Sequence, residues 1–234
     1  MKKTIIFNLS FVLIICTLLT SCNDELPKGT EDIVKAKLSS IDLMIETYIS
    51  AYNTIENVVN NGNITADGYK GISDNPDMVI SNSENKISSI NKAFDLLLDV
   101  DMDSSRLDKD SWEGRCAYEL LRKMRDIQIV LSKPTPIETS GNKTKVWMFT
   151  ELNSGYEFIA SYNSKDNSIR VSLSEKGEEK LNKELSGYIE NVNMIYNRYT
   201  EIVAAETIKR EQRRAERRKN NPDGIDWMGL YFGD

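Results

Sequence analysis

The chain contains no histidine. Nucleophilic machinery of the Ser-His-Asp or Cys-His kind, His-ligated zinc or haem, and imidazole pH switching are therefore absent from its chemistry. No CxxC pair, Gly-rich phosphate loop or dinucleotide fingerprint is present either. Two stretches carry chemistry of another kind. Lys209 to Lys219 reads KREQRRAERRK, with seven cations and two acids. Arg210, Arg213, Arg214, Arg217 and Arg218 could there meet phosphates or an acidic partner. The bland alternative is a solvated helical extension held by pairs such as Glu206 and Arg210. The terminal peptide IDWMGLYFGD places Trp227, Met228, Leu230, Tyr231 and Phe232, five large apolar residues, within six positions. Left exposed, they would form a sticky patch. They are expected to be buried, either folded back on their own domain or docked into a partner, with Gly229 and Gly233 permitting tight turns.

Asp99, Asp101, Asp103 and Asp110 occupy the first, third, fifth and twelfth positions of a segment between two predicted helices. The segment resembles an EF-hand calcium loop, and the resemblance implies a weak cation site at most. Ser104 stands where that loop needs glycine, and Asp110 where it needs a bidentate glutamate. Paired carboxylates for glycoside hydrolysis cannot be identified by counting, because 36 acids supply many accidental pairs. Ser83-Glu-Asn-Lys86 and Ser89-Ile-Asn-Lys92 have the serine-lysine spacing of penicillin-recognising enzymes, but they overlap one helix and no companion motif follows. Trp112, Trp147 and Trp227 could stack on sugars, although Trp147, in a predicted strand, reads as core.

The chain has 234 residues, 40% hydrophobic and 28% charged, with a mean hydropathy of −0.44. That suits one soluble globular domain with extensions. The single long apolar run, from about Ile5 to Leu19, follows Lys2 and Lys3 and ends in Leu19-Thr20-Ser21-Cys22. Such a run is too short for a comfortable bilayer span. An apolar residue, two small ones and a cysteine at that point resemble the lipobox of bacterial lipoproteins. The resemblance implies cleavage after residue 21 and a diacylglycerol on Cys22, with acyl chains anchoring the chain effectively permanently. Asn23-Asp24-Glu25 resembles the surface-export signal of some Bacteroidota lipoproteins, or is merely a solvated tether. Removing residues 1–21 takes away two of the 30 basic residues and no acid, leaving 28 against 36 and a net charge of −8. Cys16 goes with the signal and Cys22 carries lipid, so Cys116 remains alone, with no intramolecular disulfide. It sits in an apolar helical pattern and reads as a buried structural thiol.

Residues 22–30 read as a tether. Val34, Leu38, Ile41, Ile45, Tyr48, Tyr52, Ile55 and Val59 then alternate spacings of four and three, predicting a long amphipathic helix from Thr30 to near Asn61. Residues 62–76 form the longest internal loop. A second helix is predicted from about Asp77 to Leu98, carrying Ile80, Ile87, Ile90, Phe94 and Leu97 on one face. A third is predicted from Ser111 to Ser132, with Cys116, Leu120, Met124, Ile127 and Leu131 inward, stopped by Pro134 and Pro136. Between Lys143 and Leu173 the period falls to two, and three runs separated by Asn153-Ser154-Gly155 and Ser164-Lys165-Asp166 predict a three-stranded antiparallel meander. The last helix starts near Ser174 with Leu181, Leu185, Tyr188, Val192, Ile195, Tyr199 and Ile202 on one stripe. If helical to residue 219 it is about 68 Å long, and its end projects from the domain.

The expected fold class is α+β, mainly helical, with about four helices and a small three-stranded sheet. Its expected divisions are a lipoprotein signal peptide (1–21), a tether (22–30), the α+β domain (31–208), a basic helical extension (209–221) and an aromatic C-terminal peptide (222–234). No cofactor, catalytic residue or nucleic-acid partner is implied. The expected role is that of a non-enzymatic interaction or scaffold lipoprotein, an accessory subunit of an envelope or secretion assembly. It would be lipid-anchored at the outer membrane, on the periplasmic face or the cell surface. The alternatives are an immunity or inhibitor lipoprotein and a carboxylate-dependent hydrolase or glycan-handling lipoprotein.

Overall fold

The computed structural model describes residues 25–68, 75–137 and 144–220. Among these, helices α1 (Thr30–Asn61), α2 (Pro76–Asp99), α3 (Trp112–Met124) and α4 (Glu175–Asn220) accompany strands β1 (Thr135–Ile137), β2 (Thr144–Thr150), β3 (Glu157–Asn163) and β4 (Ser168–Leu173). The α+β class and its helical bias stand, but the sheet has four strands in the order β1-β2-β3-β4, all antiparallel. The added strand is β1, hidden in the sequence by Pro134 and Pro136. Proline cannot donate to a ladder but is tolerated on an edge strand, and β1, with Pro136 opposite Trp147, is one. Contacts among the described residues divide into two units. One comprises residues up to Lys35 with Asp126–Lys180, the other Ala36–Arg125 with residues from Leu181 on. No helix among the described residues is long and apolar enough to cross a membrane.

The first unit contains the sheet. Its registers align Trp147, Ala160 and Val171 in one row and Phe149, Phe158 and Leu173 in the next, all buried. The Phe149 and Phe158 rings stack at 5.8 Å. Alternation in the sequence thus becomes one apolar face. The start of α4 packs directly against it. Ser174 caps that helix by accepting from the Gly177 N–H (3.2 Å), while its own hydroxyl donates to the Glu157 carboxylate (2.7 Å). Gly177 must be glycine, because a Cβ there would stand 2.4 Å from the Glu157 carbonyl oxygen.

The predicted third helix is too long. It ends at Met124, and the chain continues extended through Ile127, Ile129 and Leu131, which are half-buried in alternation with exposed Gln128 and Val130. Ile127 and Leu131 are four apart, a spacing that satisfies a helix and a strand equally. Ile129 and the β-branched run decide for the extended form, which pairs as a bridge at Leu131 and Glu151. The extended segment is pinned by Glu151, a carboxylate only 1% exposed. Its Oε1 accepts from the Val130 and Asn153 N–H groups (3.0 and 3.2 Å), and its Oε2 from the Ser154 N–H and hydroxyl (2.7 Å each). Burial pushes the carboxyl pKa up, but these four donors outweigh it and the net shift is down.

The second unit is helical. Ala51, Ile55 and Val58 of α1 pack against Val192, Ile195 and Tyr199 of α4, with Tyr48, Tyr52, Val79 and Ile80 around them. The predicted stripes meet at Ile55, Val192, Ile195 and Tyr199, but on α1 the other buried positions in the cluster are Ala51 and Val58, each one residue before the predicted Tyr52 and Val59, which are half-buried. More of α1 is buried than the stripe alone, including Ala36, Leu43, Met44 and the polar Ser39, Ser40 and Thr47. Asn75 caps α2 by accepting from the Asp77 and Met78 N–H groups, and Ser111 caps α3 through the Gly114 N–H. The Tyr196 hydroxyl donates to Asp77 at the start of α2, and that bond, with partial burial, raises the phenol pKa to about 12.

Glu151→Gln should lose part of this clamp and leave donors unpaired, at a cost on the order of 1–3 kcal/mol. The sign with pH follows from the depressed folded pKa. The carboxylate's stabilisation is complete above the unfolded value of about 4.5 and disappears as pH falls through the lower folded value. Thermal melts of wild type and variant across that range should therefore converge toward low pH; parallel curves would show that Glu151 is not the acid-sensitive clamp.

Candidate functional site

The end of α4 is set by the turn after α1. Thr65, Ala66, Asp67 and Gly68 close on themselves through the Gly68 N–H to the Thr65 carbonyl (2.9 Å) and the Thr65 hydroxyl to the Gly68 carbonyl (3.0 Å). Gly68 has φ +82°, and a Cβ on it would lie 2.7 Å from the Tyr199 hydroxyl, so only glycine lets the turn sit this close to α4. The Thr207 hydroxyl, which donates to the Val203 carbonyl of its own helix (2.9 Å), lies 3.4 Å from the Ala66 carbonyl, and Arg210 Nη1 donates to Asp67 Oδ1 at 2.9 Å. The Arg210 side chain is 19% exposed, and its Nε is buried with no hydrogen-bond partner. Beyond Arg210 every residue of α4 is exposed, from Glu211 to Asn220.

Around the helix axis the residues of this end are sorted by type. At about 100° per residue, Arg210, Arg213, Arg214, Arg217 and Arg218 fall within one arc of about 140°. Lys209, Glu211, Glu216 and Lys219 fall outside it. The buried residues Val192, Ile195 and Tyr199 and half-buried Val203 fall within the same arc. The face that builds the core is thus continued past the turn as a stripe made only of arginine. Glu206 lies where the two meet, 2.6 Å from Lys209 Nζ and 3.8 Å from Arg213, and those cations lower its pKa. Sequence reading found the cations but not Asp67 or the stripe. The signals were the Asp-Gly turn after α1 and the four-three spacing that runs on through the basic stretch.

Other sequence candidates are placed differently. Cys22 and the aromatic residues Trp227, Met228, Leu230, Tyr231 and Phe232 lie outside the described residues. Cys116 is buried in α3, and burial raises its thiol pKa, with Glu119 adding to the effect. That is an inert setting. Ser83, of the serine-lysine spacing, donates to the Val79 carbonyl of its own helix. Trp147 is core, whereas Trp112 is 46% exposed. It borders an open hollow of about 610 Å³ with Leu43, Glu46, Ser50, Asn82 and Lys86. A second hollow of about 550 Å³ lies within the sheet unit, bordered by Glu25, Glu31 and Leu131 to Pro134.

The calcium-like loop uses its acids as caps. Asp101 and Met102, at φ +51° and +58°, close α2 in the left-handed conformation, with the Met102 N–H donating to the Leu97 carbonyl (2.8 Å). Asp101 pairs with Arg106 at 3.6 Å. Asp103 accepts from the Ser105 N–H and hydroxyl, which lower its pKa, and Asp110 donates its N–H to the Asp108 carboxylate. The Asp108 carbonyl is pressed against α3, where a Cβ on Gly114 would stand 1.7 Å from it. Asp99, Asp101, Asp103 and Asp110 therefore do not converge, and among the described residues no group of three or more His, Cys, Asp or Glu is placed to hold a metal.

No known protein family, curated protein or solved structure matches the chain. For the 99–110 loop, calcium at millimolar concentration should leave the melting temperature unchanged. A rise of several degrees, lost in Asp103→Asn, would restore the cation site.

Proposed function

We propose that the chain is a lipid-anchored, non-enzymatic interaction module of the bacterial cell envelope, an accessory subunit that holds a protein partner. The observation that carries this reading is the last ten residues of α4, a helix exposed on every side that bears four arginines and a lysine. A helix that buries no face gains nothing from packing, and its Glu-Arg pairs each contribute only a few tenths of a kcal/mol. A stretch so costly to keep as one projecting rod is explained by what it meets. Local charge strengthens the argument. The basic stretch is +5, seven cations against two acids, in a chain whose net charge is −6. Arginine beside an aromatic cluster is the composition of interface hot spots, and Trp227 and Tyr231 follow the helix within twelve residues of Lys219. The anchor rests on the lipobox-like Leu19 to Cys22, which fixes the chain to a membrane at one end and leaves recognition to the rest.

Two experiments test the reading. Cys22→Ala should move the protein from the carbonate-washed membrane pellet to the soluble fraction, and retention in the pellet would overturn the anchor. Deleting residues 222–234 should abolish co-purification of the partner or lower the melting temperature by several degrees. A truncated chain unchanged in both would show the aromatic peptide to be inert.

A further inference from the structure

We infer that the hollow between α1, α2 and the start of α3 is a binding site for a neutral oligosaccharide, with Trp112 as the platform on which a pyranose ring stacks. The inference goes beyond the protein-partner role and uses none of the residues that carry that role. Its first support is the placement of Trp112. This indole is 46% exposed, whereas Trp147 in the sheet is 5% exposed. A single exposed aromatic is ordinary on a surface, but this one stands on the rim of a hollow of about 610 Å³, a volume within the range of small-molecule sites. It is also held in place. Ser111 caps α3 directly before it by accepting from the Gly114 N–H (2.9 Å), and the Arg115 guanidinium lies 5.2 Å from its ring centre. An aromatic π face is negative, so it attracts the weakly positive C–H groups on the flat side of a pyranose.

The second support is the lining. Glu46 and Ser50 stand one turn apart on α1, and Asn82 and Lys86 one turn apart on α2. Together they offer a carboxylate, a hydroxyl, an amide and an ammonium, so the hollow both accepts and donates hydrogen bonds. A sugar hydroxyl does the same. Other ligand classes fit these groups worse. An apolar ligand would strip water from polar side chains and return no hydrogen bond. An anion would meet the Glu46 carboxylate, and the cation that could hold it, Lys86, already lies 3.8 Å from Glu119. A metal ion would find one carboxylate, and that one is engaged with Lys123 at 2.6 Å. The Thr47 and Ser83 hydroxyls also line the hollow; they donate to the Leu43 and Val79 carbonyls of their own helices (2.7 Å each) and keep only lone pairs for a ligand. Balanced charge, hydrogen bonding in both directions and one aromatic plane are what a neutral polyhydroxylated ring needs. The open side leaves its outer hydroxyls in water. From Leu43 to Ser50 the lining runs about 10 Å along α1, enough for more than a single ring.

The probes are the neutral trisaccharides cellotriose, maltotriose, mannotriose and triacetylchitotriose, with the acidic trigalacturonate for comparison. Each is titrated into the full chain by calorimetry, to a concentration of about 10 mM. At least one neutral trisaccharide should bind with a dissociation constant of about 1 mM or tighter. Its binding should shift the Trp112 indole N–H resonance, which is identified by its loss in Trp112→Phe. Trp112→Ala should weaken binding at least tenfold, and Trp112→Phe, which keeps a smaller ring, by less. Asn82→Ala should weaken it several-fold. Tyr118→Ala removes an exposed aromatic of α3 that does not line the hollow, and should leave binding unchanged. Thermal melts followed by circular dichroism check that each variant is folded. Silence from every neutral trisaccharide at about 10 mM, affinity unchanged in Trp112→Ala, or binding of trigalacturonate alone would each overturn the inference. Fractionation of Cys22→Ala and co-purification of a partner test the proposed function separately, and no outcome here alters them.

Discussion

A long helix is tolerable in water only if its apolar stripe is covered, and in the helical unit the stripes of α1 and α4 cover each other. Ala51, Ile55 and Val58 on one side and Val192, Ile195 and Tyr199 on the other form the cluster on which the surrounding features depend. At about 25 cal/mol per Å² of apolar surface removed from water, such a pairing outweighs anything the exposed ion pairs contribute. It also fixes direction. Because α1 ends at Asn61, the turn that follows it has to fold across α4 near Tyr199, where Gly68 alone fits against the tyrosine hydroxyl. From that contact the Arg210–Asp67 bond follows, and so does the point at which α4 loses its cover.

The sheet unit solves a different problem, the attachment of an extended segment to a small meander. Backbone groups of residues 128–132 need partners, and β2 supplies only some. The Ser132 N–H donates to the Thr150 carbonyl and the Leu152 N–H to the Val130 carbonyl. Glu151 takes the Val130 N–H from inside, and the Asn153 side-chain amide donates to the Gln128 carbonyl. A buried carboxylate without donors would be expensive, but four hydrogen bonds, two of them at 2.7 Å, turn its charge into the fastener of the hairpin. The same group holds the β2–β3 turn through Asn153 and Ser154, so one side chain sets both the turn and its neighbour. An apolar residue at 151 would have satisfied the alternation of β2 as well. It could not have made these bonds.

How much of this was legible depended on whether the signal was a period or a partner. The stripes of α1 and α4, the helix starts at Ser111 and near Ser174 and the alternation of β2 to β4 are local patterns, and each gave its element to within a residue or two. Helix α3 was overextended because Ile127 and Leu131 fit two periods at once. Strand β1 was missed because Pro136 reads as a stop unless its place at a sheet edge is known. Glu151 was harder to see: three of its four donors, at Asn153 and Ser154, are local, but the Val130 N–H reaches it only when residues 128–132 fold beside β2. The acids of the 99–110 loop show the converse. Their spacing resembles that of a cation site, yet Asp101 closes a helix, Asp103 caps a 3₁₀ turn at Ser104–Arg106 and Asp108 receives a backbone N–H. Asx residues do this wherever a chain reverses twice in a few residues, and that constraint yields the same spacing without a metal.

The arginine stripe joins the two kinds of signal. Its periodicity is local and stands in the sequence, but its meaning comes from the core. Only once Val192, Ile195 and Tyr199 are known to face α1 does the arc shared with Arg213, Arg214, Arg217 and Arg218 become a statement about direction. Arginines on the outer face of α4 would simply have been solvated. On the inner face they repeat the geometry of a buried stripe with the chemistry of a charged one. Apolar residues at those positions would have left an exposed patch free to pair with any hydrophobic surface. Arginine at those positions leaves the face charged and hydrated instead. The exchange from apolar side chains to arginine occurs at Arg210, where Asp67 supplies a carboxylate from within the chain at 2.9 Å.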